Sequence, residues 1–143
     1  MGLVQYIYTS VLIAELTPKN AFDTSAMTVN LCQQFGITGR VFANRQEALA
    51  IMEGPEDHVA RYYQAVQNDP MTGTQILHVQ RPIQAREFED FSVWVNFGRD
   101  FEFTQHIRNL TPETLPLAWP ENLSPRVRIM ASAYLDADML AAP

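Results

Sequence analysis

The chain opens on an alternation. In L-V-Q-Y-I-Y-T-S, residues 3–10, Tyr6, Tyr8 and Ser10 fall on one side and Leu3, Gln5 and Ile7 on the other, the period of two expected of a β-strand rich in β-branched and aromatic residues. The period then changes. Thr17 followed by Pro18 makes an N-cap with proline in the first turn, and Phe22, Ala26, Val29 and Cys32 recur at helical spacing until Gly36, which predicts a helix over 18–35. Two short strands follow, 39–44 and 47–52, joined by a turn at Asn44-Arg45, although Glu47 and the alanines give the second a weak intrinsic preference. Gly54-Pro55 ends that hairpin, Glu56 and Asp57 put negative charge in the first turn of a second helix, and Val59, Tyr62, Tyr63 and Val66 supply its apolar stripe over 55–69. Asp69-Pro70 and Gly73 break it, and strands are expected at 74–79 and 91–97.

The order βαββαββ, with crossovers long enough to hold a helix, predicts a ferredoxin-like α+β sandwich: one mixed sheet with both helices on one face. Beyond Gly98 the texture changes, for Pro112, Pro116, Pro120 and Pro125 punctuate the chain and no strand signal is present. Ser124-Pro125 caps a last helix with Val127, Met130, Tyr134 and Leu135 on one apolar face. The open back of the sheet, offering Gln5, Ile7 and Trp94, is the surface that face is expected to cover, in the same chain or in a neighbour. The organisation is therefore a core unit over 1–97 and a C-terminal helical extension over 98–143, in which Met139 and Leu140 are expected to be exposed.

Composition narrows the function classes. With 143 residues, 47% of them apolar and 18% charged, the chain can bury a full core. A net charge of −6 and scattered Lys and Arg leave no footprint for nucleic acid. The single cysteine, Cys32, excludes an internal disulfide and a cysteine-based zinc site, and in mid-helix on an apolar face it reads as a small hydrophobe. No charged leader and no run of membrane-spanning length is present, so the cytoplasm is the expected location. The N-x-[ST] matches at Asn109 and Asn122 are read as chance. His58, His78 and His106 stand too far apart for a metal site, and Glu53, Glu56 and Asp57 are explained by the helix entrance. No nucleophile–base constellation and no glycine-rich phosphate loop is legible, which argues against an enzyme, including acylphosphatase-type chemistry on this fold.

An ordered series carries a resemblance: Y-I-Y-T-S in strand one, G-I-T-G at 36–39, E-G-P-E at 53–56, R-P-I at 81–83 and F-E-D-F-S at 88–92. The chain resembles the BLUF family of flavin-binding blue-light sensors over 1–97, in its short stand-alone form. The resemblance implies a flavin, FAD or FMN, lying between the two helices against the sheet. It also implies a light-driven hydrogen-bond rearrangement among a strand-one tyrosine, a strand-three glutamine and the flavin carbonyl. The tyrosine falls on Tyr8 and the glutamine position on Ala50. The helix-one serine falls on Thr28, the asparagine one turn later on Cys32 and its neighbour on Leu31. The Arg-His pair after helix two falls on Met71-Thr72, and the strand-five tryptophan and methionine fall on Phe91 and Val93.

The cofactor-binding positions so implied are Tyr8, Thr28, Cys32, Ala50, Phe91 and Val93, most of them substituted. Each lost hydrogen bond to a buried ligand group costs about 1–3 kcal/mol, and each 1.4 kcal/mol is about tenfold in affinity. Flavin is therefore expected to be absent or weakly bound. Without its glutamine, Tyr8 reads as a core aromatic whose hydroxyl must find another partner. The resemblance and its gaps together imply a BLUF-fold signalling protein that has lost the photocycle, acts through a protein partner and forms homo-oligomers, with no role for nucleic acid or membrane. The alternative is a working FAD-binding photoreceptor in which Gln46 or Tyr6 reaches the ring.

Overall fold

The computed structural model describes residues 2–97 and 103–135. The described elements are β1 (Leu3–Leu12), α1 (Pro18–Gln34), β2 (Thr38–Ala43), β3 (Glu47–Pro55), α2 (Glu56–Gln67), β4 (Thr72–Ile83), β5 (Phe91–Val95), β6 (Ile107–Asn109), α3 (Leu115–Ala118) and α4 (Pro125–Tyr134). The sheet order is β4-β1-β3-β2-β5-β6. β1 pairs antiparallel with β3 and β4, and β2 pairs antiparallel with β3 and parallel with β5. This is the expected ferredoxin-like arrangement with one strand more.

Local chemistry sets the element ends. The Thr17 hydroxyl accepts the Asn20 N–H at 3.1 Å and Pro18 opens α1, the capping arrangement read from the sequence. β3 runs through to Pro55, so α2 begins one residue later than expected, with Glu56 and Asp57 in its first turn. β4 is twice the expected length and contains Pro82, which is tolerated because β4 is an edge strand whose outer side needs no donor.

The expectation that no strand follows Gly98 is overturned. β6 lies parallel to β5, held by Val93 N–H to His106 O and Leu110 N–H to Val95 O, both 2.8 Å. Three residues carry too little alternation to register as a strand, and the short α3 escaped notice for the same reason. Met139 and Leu140 lie outside the described residues.

A glycine corner fixes the entrance to the sheet. Gly39 sits at φ +145°, and a Cβ there would stand 1.8 Å from the Ile51 carbonyl oxygen; a Cβ on Gly54 would stand 3.0 Å from the Gly36 carbonyl oxygen. Glycine is the residue that allows such an approach of backbone to backbone.

The sheet is covered on both faces. In front, Ala21, Val29 and Cys32 of α1 and Val59 of α2 pack with Tyr6, Tyr8, Met52, Val93 and neighbouring strand residues. Behind, Val127, Ala131 and Leu135 pack with Ile7, Leu49, Ile51 and Trp94, joined by Met130 and Tyr134. The C-terminal helix thus covers the sheet back within the same chain. The Ser124 hydroxyl accepts the Val127 N–H at 3.4 Å, and the Tyr134 hydroxyl donates to Glu47 Oε2 at 3.2 Å.

A polar network ties this cover down and corrects the reading of Glu53. Glu53 is fully buried. Its Oε1 accepts the backbone N–H groups of Glu87 and Phe88 at 2.8 and 3.0 Å, and its Oε2 accepts from Gln5 Nε2 at 2.8 Å. Gln5 Nε2 also donates to Glu87 Oε2 at 2.9 Å, Gln5 Oε1 accepts from Arg81 Nε at 2.9 Å, and Arg81 pairs with Glu87 at 3.0 Å. Glu87 Oε1 in turn accepts the Ser124 N–H at the start of α4. Glu53 is therefore a satisfied buried carboxylate at the sheet back, not a charge at a helix entrance. Burial pushes its pKa up, the hydrogen bonds from Phe88, Gln5 and Glu87 oppose the rise, and the Glu87 charge adds to it.

Candidate functional site

Between α1 and α2, against the front of the sheet, lies a cavity of about 370 Å³, within the range of small-molecule sites. Tyr8, Val41, Ala50, Met52, Val93 and Val95 form its floor; Ala21, Met27, Thr28 and Leu31 face it from α1, and Tyr62, Ala65 and Val66 from α2.

Strand pairing places its centre. Tyr8 and Ala50 are direct partners across β1 and β3, so the two side chains share the front face at one level. The Tyr8 hydroxyl donates to the Met52 sulfur at 3.7 Å, and the Tyr8 ring meets Tyr63 edge-on with centroids 5.0 Å apart. Burial pushes the Tyr8 phenol well up, with Tyr62, Cys32 and Tyr63 adding to the rise. The Tyr62 hydroxyl donates to Thr28 Oγ1 at 3.4 Å, tying α2 to α1 at the cavity wall. Burial also pushes the Tyr62 phenol up, and it pushes the Cys32 thiol up to about 12 against a lowering hydrogen bond from Tyr62. Both phenols and the thiol are therefore uncharged at neutral pH.

Of the positions the resemblance assigned, Tyr8, Thr28, Ala50 and Val93 line the cavity, as do Leu31, Met71 and Thr72. Cys32 and Phe91 do not: both are buried in the core behind the cavity lining. Gln46 is no substitute for the missing glutamine, since it sits in the exposed hairpin turn and donates to Glu15 Oε1 at 3.1 Å. Tyr6 packs edge-on to Tyr63 with centroids 5.6 Å apart and does not line the cavity.

Sequence reasoning did not assign Ser10, Thr24, Ser25, Asn44 and Asp69 to the site, nor the methionines Met27 and Met52. Ser10 carried a signal in sharing the strand face of Tyr8, and Asn44 and Asp69 in marking the turns beside the cavity. Asn44 Oδ1 accepts the N–H groups of Gln46 and Glu47, both at 2.9 Å, which is the Asx-turn chemistry that favours Asn there.

The donor set does not fit a flavin nucleotide. The described lining residues include two acids, Glu47 and Asp69, and no Lys, Arg or His to meet a phosphate. Glu47 turns its carboxylate away, to Tyr134 at the sheet back. Asp69 accepts the Met71 N–H at 2.9 Å and stays at the rim. The one lining amide, Asn44, has its oxygen committed to its own turn, so the polar edge of a flavin ring would meet hydroxyls and methyls where it needs paired amide groups. Among the described residues no group of three His, Cys, Asp or Glu side chains is placed to hold a metal ion, and no helix is long and apolar enough to cross a membrane.

Fold and cavity together define an α+β domain with a slot between two helices and a six-stranded sheet. The family model for "Sensors of blue-light using FAD" matches residues 3–94, and the chain belongs to the BLUF family. No curated protein matches the sequence. Among solved structures, BlrB, a BLUF protein in its dark state, is 21% identical with a TM-score of 0.59, over 97% of this chain and 92% of that one. The BLUF unit of BlrP1 is 17% identical with a TM-score of 0.67, over 99% and 91%. Klebsiella pneumoniae BlrP1 in a calcium and cyclic diGMP complex is 18% identical with a TM-score of 0.69; the match covers 97% of this chain but only 34% of that one. At these identities the likeness speaks for the fold.

Proposed function

We propose that this BLUF chain is a signalling and interaction module that does not run the family's flavin photocycle. In this reading it is a pseudo-photoreceptor without enzymatic activity, acting in the cytoplasm through protein contacts and as a homo-oligomer. The observation that carries the reading is the Tyr8–Ala50 pair. An alanine methyl neither donates nor accepts, so the amide whose rearrangement would report light is missing from the place opposite the tyrosine. The Tyr8 hydroxyl is turned instead to a thioether, a weak acceptor. The positions answering to the family's flavin contacts are Tyr8, Thr28, Cys32, Ala50, Phe91 and Val93. With Cys32 and Phe91 withdrawn into the core, FAD or FMN is absent or weakly held.

The competing reading, a working FAD-bound blue-light photoreceptor, draws on the open cavity and the retained Tyr8. The visible absorption spectrum of the purified protein with excess FAD, before and after blue light, separates the two. No bound flavin, or a bound flavin whose band does not move, supports the proposal. A band that shifts to the red and reverts in the dark overturns it. Should flavin bind without shifting, Ala50→Gln is the variant expected to bring a shift back.

A further inference from the structure

α4 breaks a local rule that nothing in the fold explains. It opens Pro-Arg-Val-Arg with no acid in its first turn, and Pro125–Tyr134 as a whole contains no Asp or Glu. Cations suit the other end, because the N-terminus is the positive end of the helix dipole. Among the described residues Arg126 and Arg128 form no ion pair, whereas Lys19, Arg40 and Arg81 are paired and Arg45 and Arg108 lie over aromatic rings. The acid that meets the start of α4, Glu87, is committed to the Ser124 N–H, to Gln5 and to Arg81.

Helical spacing shows what these arginines flank. Val127, Ala131 and Leu135 are buried behind the sheet. At about 3.6 residues per turn, Ile129 stands opposite that line and is 70% exposed, with Arg126 on one side of it and Arg128 on the other. One turn on, the exposed residues are the small Ser132 and Ala133, which allow a second helix to approach to the usual distance of about 8–10 Å between axes. The face is an apolar crest between two cations. It is held still from both ends, by Glu87 at Ser124 and by Glu47 at Tyr134, so little ordering is left for a partner to impose.

We infer that this outer face of α4 docks an acidic helix of another protein, which sets an apolar side chain on Ile129 and carboxylates against Arg126 and Arg128. The inference rests on the part of the reading above in which the chain acts through protein contacts, and it names the face and the partner's chemistry. Charge complementarity selects the partner. On a chain of net charge −6 two unpaired arginines are a local exception, and carboxylates docked there neutralise both while meeting the positive end of the helix. An anionic membrane is disfavoured, since a basic segment that holds one carries about four to eight Lys or Arg.

The test is fluorescence anisotropy of a labelled synthetic helical peptide, with a leucine seam flanked by glutamates, titrated with the full chain. A second peptide carries lysine for every glutamate, and phosphatidylserine vesicles serve as the membrane probe. The glutamate peptide is expected to bind at least about tenfold more tightly than the lysine peptide, and more weakly as salt is added. Arg126→Glu combined with Arg128→Glu is expected to invert that preference while melting no lower than the wild type, because negative charge suits this end of a helix. Ile129→Ala, which leaves both charges in place, is expected to weaken the glutamate peptide as well. No binding of the glutamate peptide, equal binding of the two peptides, binding that either folded variant leaves unchanged, or vesicle binding that the double variant abolishes each overturns the inference. Any of these failures leaves the photocycle to the absorption spectrum. A reversible red shift there, with the glutamate peptide bound as expected, overturns the proposed function and leaves this docking face standing.

Discussion

Glu53→Gln weighs the buried network that joins the sheet to its C-terminal cover. The glutamine oxygen can still accept the N–H groups of Glu87 and Phe88, but the new amide nitrogen then confronts Gln5 Nε2, which now donates to Glu53 at 2.8 Å. Turning the Gln5 amide over gives no relief, because Gln5 Oε1 already accepts from Arg81 Nε at 2.9 Å. Either way a buried donor faces a donor, at about 1–3 kcal/mol, and charge-assisted bonds become neutral ones. The variant escapes the desolvation that raises the Glu53 pKa, which trims the loss, so the expected net is about 2 kcal/mol. For a chain of this length that corresponds to roughly 4–8 °C in Tm.

Urea unfolding followed by tryptophan fluorescence should show a lower midpoint at unchanged slope. The pH dependence has a definite sign. A carboxyl whose folded pKa is raised binds more protons folded than unfolded, so its stabilisation is present below about 4.5 and is lost as pH rises through the folded value. The wild-type chain carries this decline and the variant should lack it. A change under about 0.5 kcal/mol together with an unaltered pH profile would refute the assignment of Glu53 as the hub of the network.

Three further outcomes are expected. Gly39→Ala should cost at least about 3 kcal/mol or prevent folding, because its Cβ would lie 1.8 Å from the Ile51 carbonyl; soluble yield and thermal melting report it. Val127→Ala, at a fully buried position on α4, should lose about 2 kcal/mol by denaturant titration, whereas Ile129→Ala, at a side chain 70% exposed on the same helix, should stay within about 0.5 kcal/mol. Cys32, fully buried and with its pKa pushed from 9.0 up to about 12, should resist iodoacetamide at pH 8 until the chain unfolds. Its contribution to stability should fall as pH rises through about 12.

Alternation made the faces of β1 readable and the short turn made the β2–β3 hairpin readable. Tyr8 and the alanine at the glutamine position, each placed by the resemblance, stand as direct partners across β1 and β3, a register hidden from the sequence because α1 and β2 lie between the two strands. Spacing fixes a face but not a depth. Thr28 and Cys32, four residues apart on α1, share a face, yet only Thr28 reaches the cavity while Cys32 sinks wholly into the core. The Glu53 network was illegible for a different reason. It joins residues 5, 53, 81, 87 and 124, and nothing local marks a glutamate as a buried acceptor. β6 stayed hidden because its three residues gain their identity from β5 alone.

The glycine corner has a consequence for how such a chain is recognised. Gly39 against Ile51 and Gly54 against Gly36 are contacts of backbone with backbone, indifferent to whatever occupies the slot beyond them. Substitutions can change every side chain that lines the slot while the Ile51 carbonyl goes on rejecting a side chain at Gly39 and the Gly36 carbonyl goes on crowding one at Gly54. The family signature thus records the shape of a joint more faithfully than the possession of a pigment, and light sensitivity has to be established at Ala50 and its neighbours.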